Sequence, residues 1–187
     1  MNNKRIIVLV GPSGSGKTTI GTELSKRGIP KLVTTTTRKP RPGEKEGVDY
    51  YFRRPEDLKR DDFIEQTTYN HRIYGLTKAE VEQSLAIHDT VHVSLDKHGA
   101  RAMKEAYPQE TLIVFIFVSI EEMEKRMEAR GDVGSKIYER LLFSKETDEL
   151  RPIEEADIII ENKSIESSVE EILEEVKKWQ TEPTEEV

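Results

Sequence analysis

Cysteine is absent from all 187 residues, which excludes a disulfide framework and thiolate zinc sites and is compatible with a reducing cytosol. Long apolar stretches are missing as well. The opening MNNKR leads into only the short run Ile6-Ile7-Val8-Leu9-Val10, and the longest run, from Leu112 to Val118, has the length of a strand. Neither suffices for a signal-peptide core or a membrane span, so a soluble cytoplasmic protein is expected. A basic block is lacking too: charged residues make up 35% at a net charge of −7, with Lys and Arg interspersed among Asp and Glu. Composition therefore gives no reason to expect nucleic-acid binding. The four histidines, His71, His88, His92 and His98, show no metal-ligand spacing. No repeat or low-complexity tract is evident. The length suits one compact domain of residues 1–180, and the acidic, Pro-containing stretch 181–187 reads as a flexible tail.

What is present is a glycine-rich loop in an informative place. Gly11-Pro12-Ser13-Gly14-Ser15-Gly16-Lys17-Thr18 follows the apolar run directly and fits GxxxxGK[ST]. A buried strand, a glycine turn and a helix opening near Lys17 direct successive backbone N–H groups and the positive helix end onto one anion. The pattern predicts a nucleotide phosphate site made by Gly11, Ser13, Gly14, Ser15, Gly16, Lys17, Thr18 and Thr19. Lys17 would reach the β- and γ-phosphates and the Thr18 hydroxyl would ligate Mg²⁺.

Apolar runs at 5–10, 90–95, 111–118 and 157–161 are each followed by a helical pattern, which predicts an α/β fold with a parallel sheet and helices on both faces. At the end of the chain, Ile165, Val169, Ile172, Leu173 and Val176 share one helical face behind a Ser164 N-cap. Met123 and Met127 read as a core stripe on another helix. Residues 31–87 depart from this alternation: short strands at 31–36, 49–52, 63–68 and 72–76 form a small β-rich insertion. An insertion leaving the carboxyl ends of core strands can fold over a ligand in the glycine loop. The core is thus 1–30, 88–125 and 150–180. Two glycines in Arg130-Gly131-Asp132-Val133-Gly134-Ser135 interrupt a helix and predict a hinged lid over 126–149.

Within the insertion, Thr34-Thr35-Thr36-Thr37-Arg38-Lys39-Pro40-Arg41-Pro42-Gly43-Glu44 concentrates hydroxyls and guanidinium groups. Alone it reads as an anion site or as a stiffened, solvated turn. The longer run from Thr34 to Phe52, TTTTRKPRPGEKEGVDYYF, closely resembles the guanylate kinase signature. Phe63-Ile64-Glu65, Tyr74-Gly75, Leu95-Asp96-Lys97-His98-Gly99, Arg126, Arg130-Gly131 and Arg140 match further family segments in order, so the resemblance spans residues 5 to 176.

It implies a P-loop kinase that transfers the γ-phosphoryl group of ATP to a nucleoside monophosphate, GMP or dGMP, with Mg²⁺. Its partners would be ATP and that acceptor, with no nucleic acid or membrane, and the chain would be a monomer or weak homodimer. Carried over by resemblance, Arg38, Arg41, Tyr50 and Tyr74 bind the acceptor phosphate, and Thr34 and Glu65 contact its base. An ionised Glu65 can accept from the paired N1–H and N2–H donors of guanine. Arg126, Arg130 and Arg140, with Lys17 and Arg38, would neutralise the transferring group after lid closure, unless the lid arginines merely pair with neighbouring glutamates. Asp96, at a strand end, could orient base, metal or Lys17 and also cap the next helix. Asn162 resembles the family's adenine-side asparagine, although a turn asparagine fits equally.

Departures cluster on the acceptor side. Leu76 replaces a small hydroxyl residue, Ser94 an aspartate, His71 a glycine and Thr34 a serine. Losing a hydroxyl at a base edge costs about 1–3 kcal/mol when a polar atom is left unpaired. A kinase acting on another monophosphate or on ribose bisphosphate, and a non-catalytic module that grips phosphopeptides, are the competing readings.

Overall fold

The computed structural model describes residues 3–181 except Ser13, Asn70, Arg130 and 147–149. In chain order it runs β1 (Arg5–Val10), α1 (Lys17–Lys26), β2 (Thr35–Thr36), β3 (Tyr51–Phe52), β4 (Phe63–Tyr69), β5 (Arg72–Thr77), α2 (Lys78–Ile87), β6 (Thr90–Ser94), α3 (Lys97–Ala106), β7 (Thr111–Phe117), α4 (Ile120–Ala129), α5 (Gly134–Glu146), β8 (Ile158–Glu161) and α6 (Ile165–Thr181). The expected tail lies, apart from Thr181, outside the described residues.

Strands in the order β6-β1-β7-β8 form a sheet whose neighbours are all parallel. Its centre is buried on both faces, which is why these strands read as unbroken apolar runs rather than alternating ones. Ile6, Val8 and Val10 pack with Val81 of α2 and Ala100 and Met103 of α3. Ile7 and Leu9 face the other way, against Ile20 and Leu24 of α1 and Val169 and Ile172 of α6. The Ser164 hydroxyl caps α6, accepting from Ser167 N–H at 3.1 Å.

A second sheet, ordered β3-β2-β5-β4, is built entirely from the insertion. Its longest pairing is the β4–β5 hairpin, closed where Tyr69 faces Arg72. The run expected as one strand over 31–36 is divided. Lys31 bridges His92 at the edge of the parallel sheet, whereas Thr35 and Thr36 pair with β3 and β5. Val33 and Thr34 therefore carry the chain from one sheet to the other.

The interruption expected between two helices is present. Gly131, at φ 83, ends α4 with Gly131 N–H bonded to Glu128 O and Asp132 N–H to Met127 O. That paired arrangement satisfies the last carbonyls of a helix and requires the left-handed conformation that glycine takes most easily. α4 and α5 share a small core of Val118, Met123, Met127 and Ile137.

Candidate active site

Among the described residues, two of the clefts at the carboxyl edge of the parallel sheet hold the residues singled out in the sequence, as expected for an open α/β sheet. The larger, about 670 Å³, lies over the start of α1 and is lined by Gly14, Gly16, Lys17, Thr18, Thr19, Met123, Arg126 and Asn162, among others. Gly11, Gly14 and Gly16 all hold positive φ. A Cβ on Gly11 would lie 2.0 Å from Ile116 O, so the loop could not sit this close to β7 with any other residue there. The Lys17 ammonium donates to the carbonyls of Gly11 at 2.6 Å and Pro12 at 2.8 Å, which holds it over the loop. Thr18 and Thr19 are exposed on the first turn of α1.

Beneath the loop, Asn162 is buried and its amide donates to Ser15 O at 2.8 Å, while Ser168 Oγ donates to Asn162 Oδ1 at 3.1 Å. Arg126 pairs with a neighbouring glutamate, Nε donating to Glu122 at 2.8 Å, while Nη2 donates to the Asn162 carbonyl at 2.8 Å and the side chain lines the cleft. Met123 and Met127, expected only as core, are buried and also form part of the cleft wall. Ser13, Arg130 and the side chain of Arg140 lie outside the described residues.

The smaller cleft, about 180 Å³, lies between the insertion and the end of β6 and is lined by Thr34, Tyr50, Glu65, Thr67, Tyr74, Gly75, Ser94, Leu95 and Asp96. It brings together Thr34, Tyr50, Glu65, Tyr74 and Asp96 from five separate segments. β1 and β6 are adjacent, with Leu95 N–H bonded to Leu9 O at 3.1 Å, so the floor of this cleft lies one strand from the glycine loop.

Burial, and secondly the Asp96 carboxylate, push the Glu65 carboxyl up to about 6, against the opposing pull of the Leu76 N–H. Asp96 also caps α3, accepting from Gly99 N–H at 2.8 Å. Leu76 is buried in the core and does not line the cleft, whereas Ser94 does.

Arg38 sits at the rim. Its guanidinium lies 5.4 Å from the Tyr50 ring centroid and forms a two-pronged pair with Glu44, at 2.9 Å from Nη1 and 2.8 Å from Nη2. Glu44 also accepts from the Arg41 N–H at 2.7 Å. These bonds, that of Arg38 first, hold the Glu44 carboxyl down at about 2. The Arg41 side chain is exposed and does not line the cleft. Thr67 is a cleft residue that the sequence reading had not assigned, although period-two alternation with Glu65 on β4 points to it, and Ser94, read as an acceptor-side departure, lines the same cleft.

The family model described as guanylate kinase matches residues 3–179. The chain is 36% identical over 176 residues to a guanylate kinase of Synechococcus sp. (strain JA-3-3Ab), covering 90% of this chain and 80% of that one. It is 34% identical over 173 residues to a guanylate kinase of Fusobacterium nucleatum, covering 90% and 93%. Among solved structures, a guanylate kinase from Anaplasma phagocytophilum superposes with a TM-score of 0.71 at 27% identity, covering 97% of this chain and 89% of that one. The glycine loop, the paired clefts and these likenesses agree: the chain belongs to the guanylate kinase family.

Proposed function

We propose that this protein transfers the γ-phosphoryl group of ATP to GMP or dGMP, giving ADP and the corresponding diphosphate. The observation that carries the reading is the adjacency of the two clefts on neighbouring strands, one floored by a complete glycine loop and the other by Glu65 and Asp96. The ionised Glu65 accepts from the guanine N1–H and N2–H, an edge that adenine does not offer. Tyr50, Tyr74 and Arg38 gather on the side of the acceptor phosphate, where Arg38 adds charge and the phenols add orientation. Lys17 and the loop amides hold the donor phosphates, and Arg126 neutralises charge on the transferring group. By the family resemblance Arg41 joins Arg38 on the acceptor phosphate, and Arg130 and Arg140 join Arg126 once the lid closes, which also excludes water.

The donor set fits Mg²⁺. Thr18 presents one hard hydroxyl oxygen beside Lys17 on the cleft wall, which suits an ion whose other ligands are phosphate and water. Bound there, the ion compensates phosphate charge. The cysteine-free composition suits a reducing cytoplasm, and among the described residues no helix is long and apolar enough to cross a membrane.

A coupled assay that offers GMP, dGMP, AMP, UMP and CMP with ATP tests the proposal. Turnover with the guanine acceptors that disappears in Lys17→Ala is expected. Preference for another base would overturn the acceptor assignment, and absence of turnover with every acceptor would favour a binding module.

A further inference from the structure

Glu80 is a buried carboxylate in the first turn of α2, outside both clefts. Its surroundings reach well beyond its own helix. Oε1 accepts from the Val33 N–H at 2.8 Å, and burial, with the neighbouring Glu80 carboxylate second, pushes the Tyr51 phenol pKa upward. Ser84 Oγ lies 3.4 Å from Oε1, and the Glu80 N–H is itself held by Thr77 Oγ1 at 3.3 Å. Val33 immediately precedes Thr34, and Tyr51 immediately follows Tyr50; Thr34 and Tyr50 both line the acceptor cleft. One carboxylate on a core helix therefore holds the chain neighbour of one cleft residue and lies beside that of another. It does so where the insertion leaves the parallel sheet and next to where it returns, at Thr77.

The sheet needs such a tether. β2 and β3 are two-residue strands, joined to each other through Tyr51 N–H to Thr34 O and Arg53 N–H to Thr36 O, both 2.9 Å. So short a ladder has little rigidity of its own. β2 is also paired to β5 at Thr35 and Thr36, so the Glu80 bond adds a hold just ahead of that ladder, at Val33, on where Thr34 stands relative to Glu65. Misplacement of about 1 Å is enough to lose much of a binding or catalytic interaction.

We propose that Glu80, acting through Val33 and Tyr51, is a positioning residue for the acceptor nucleotide: it fixes Thr34 and Tyr50 against Glu65 and so sets affinity for the monophosphate without touching it. This rests on the acceptor reading of the smaller cleft given above.

The test compares Tyr51→Phe, which removes one hydroxyl, with Glu80→Ala, Glu80→Gln and the double variant Tyr51→Phe/Glu80→Ala. Steady-state kinetics with GMP and ATP should show KM for GMP raised about tenfold in Glu80→Ala and about fivefold in Tyr51→Phe, with KM for ATP and kcat within about twofold. Gln keeps an acceptor for Val33 and a polar partner for Tyr51, so Glu80→Gln should fall within about threefold of wild type. The double variant should match Glu80→Ala, because both substitutions break one linkage. Unchanged KM for GMP in both single variants, or an equal rise for both substrates, would overturn the proposal whatever happens to thermal stability. Hydrogen exchange of the ligand-free protein separates this from failure of the acceptor reading. Loss of protection at the Val33 amide in Glu80→Ala supports the tether even if wild type does not phosphorylate GMP, and unaltered protection there sinks it.

Discussion

Asn162 occupies the space that a side chain on Gly16 would need: a Cβ built there falls 2.2 Å from Asn162 Nδ2, and Gly16 itself is left-handed at φ 99. Asn162, which also lines the larger cleft, has its amide bonded to the loop at Ser15 O and to α6 at Ser168 Oγ. Gly16→Ala must therefore both adopt an unfavourable φ and displace Asn162. The conformational term is about 1–2 kcal/mol and the orphaned buried groups add about 1–3 kcal/mol, so a loss of about 2–5 kcal/mol in urea unfolding is expected, with turnover abolished. Asn162→Ala should cost about 2 kcal/mol and raise KM for ATP while sparing KM for GMP. A Gly16→Ala variant of wild-type stability would show that the loop has another support.

The two-pronged pair of Arg38 and Glu44 makes a second prediction. Arg38 is held between that carboxylate and the faces of Tyr50 and Phe52, at 5.4 and 5.9 Å. Glu44→Ala frees the guanidinium to sample other rotamers, so KM for GMP should rise severalfold with KM for ATP unchanged. Since the Glu44 carboxyl is held down at about 2, the pair stays intact throughout the range in which kinases are assayed. Any slope in KM for GMP between pH 5 and 7 must then come from elsewhere, and a Glu44→Ala profile parallel to wild type is the check.

Glu65 is the group that should produce that slope. Its carboxyl is raised to about 6, so as pH falls through this value the acceptor-only carboxylate becomes a partial donor and clashes with guanine N–H groups. KM for GMP should climb below pH 6 in wild type and be uniformly high and flat in Glu65→Gln. Stability runs the opposite way. The folded value lies above the ordinary 4.5, so ionisation opposes folding: the favourable contribution is complete below about pH 4.5 and is lost as pH rises through about 6. At pH 7.5, Glu65→Gln should be more stable by about 1 kcal/mol once solvent screening of a partly exposed group is allowed for. Equal unfolding midpoints for the two proteins at pH 7.5 and 4.5 would refute this.

His71 stands in the two-residue connection of the β4–β5 hairpin with φ 58, a left-handed conformation that costs an L-residue about 1–2 kcal/mol. Its side chain is exposed, so the turn gains nothing from its bulk. His71→Gly should stabilise the protein by about 0.5–1 kcal/mol after the extra unfolded-state entropy of glycine, and kcat should not change. A drop in the thermal midpoint would mean that the imidazole has a role the geometry does not reveal.

These cases show which parts were legible in the chain. The loop at 11–18 was readable because its chemistry is local: glycines, lysine and threonine act on one ligand within eight consecutive positions. The parallel strands were readable because burial on both faces leaves no polar alternation. Glu80 was not, since its meaning lies in contacts with residues 33 and 51, which lie 47 and 29 positions away along the chain. The same holds for Asn162, whose partner Ser15 is 147 positions distant. Leu76 misled in a different way. Chain position alone suggested a cleft residue, but it is wholly buried in the core, and Thr34 and Ser94 are the departures that face the cleft.

His92, on β6, couples packing to acid stability. It is buried, its Nε2 lies 2.9 Å from Ser25 Oγ, and a Cβ on Gly21 would come within 2.9 Å of its Cε1, so α1 presses directly on the ring. Burial, and then the nearby Lys31 charge, lower its pKa to about 4. Because the folded value lies below the ordinary 6.5, the neutral imidazole supports folding above pH 6.5. That support is lost progressively as pH falls through about 4. The displacement corresponds to about 3 kcal/mol, larger than the roughly 1 kcal/mol that Glu65 contributes with the opposite sign, so wild type should become less stable from pH 6.5 to pH 4. His92→Gln keeps a polar partner for Ser25 and has nothing to titrate. Its unfolding midpoint in urea should therefore vary far less over this interval, and parallel losses in variant and wild type would place the acid sensitivity on other groups.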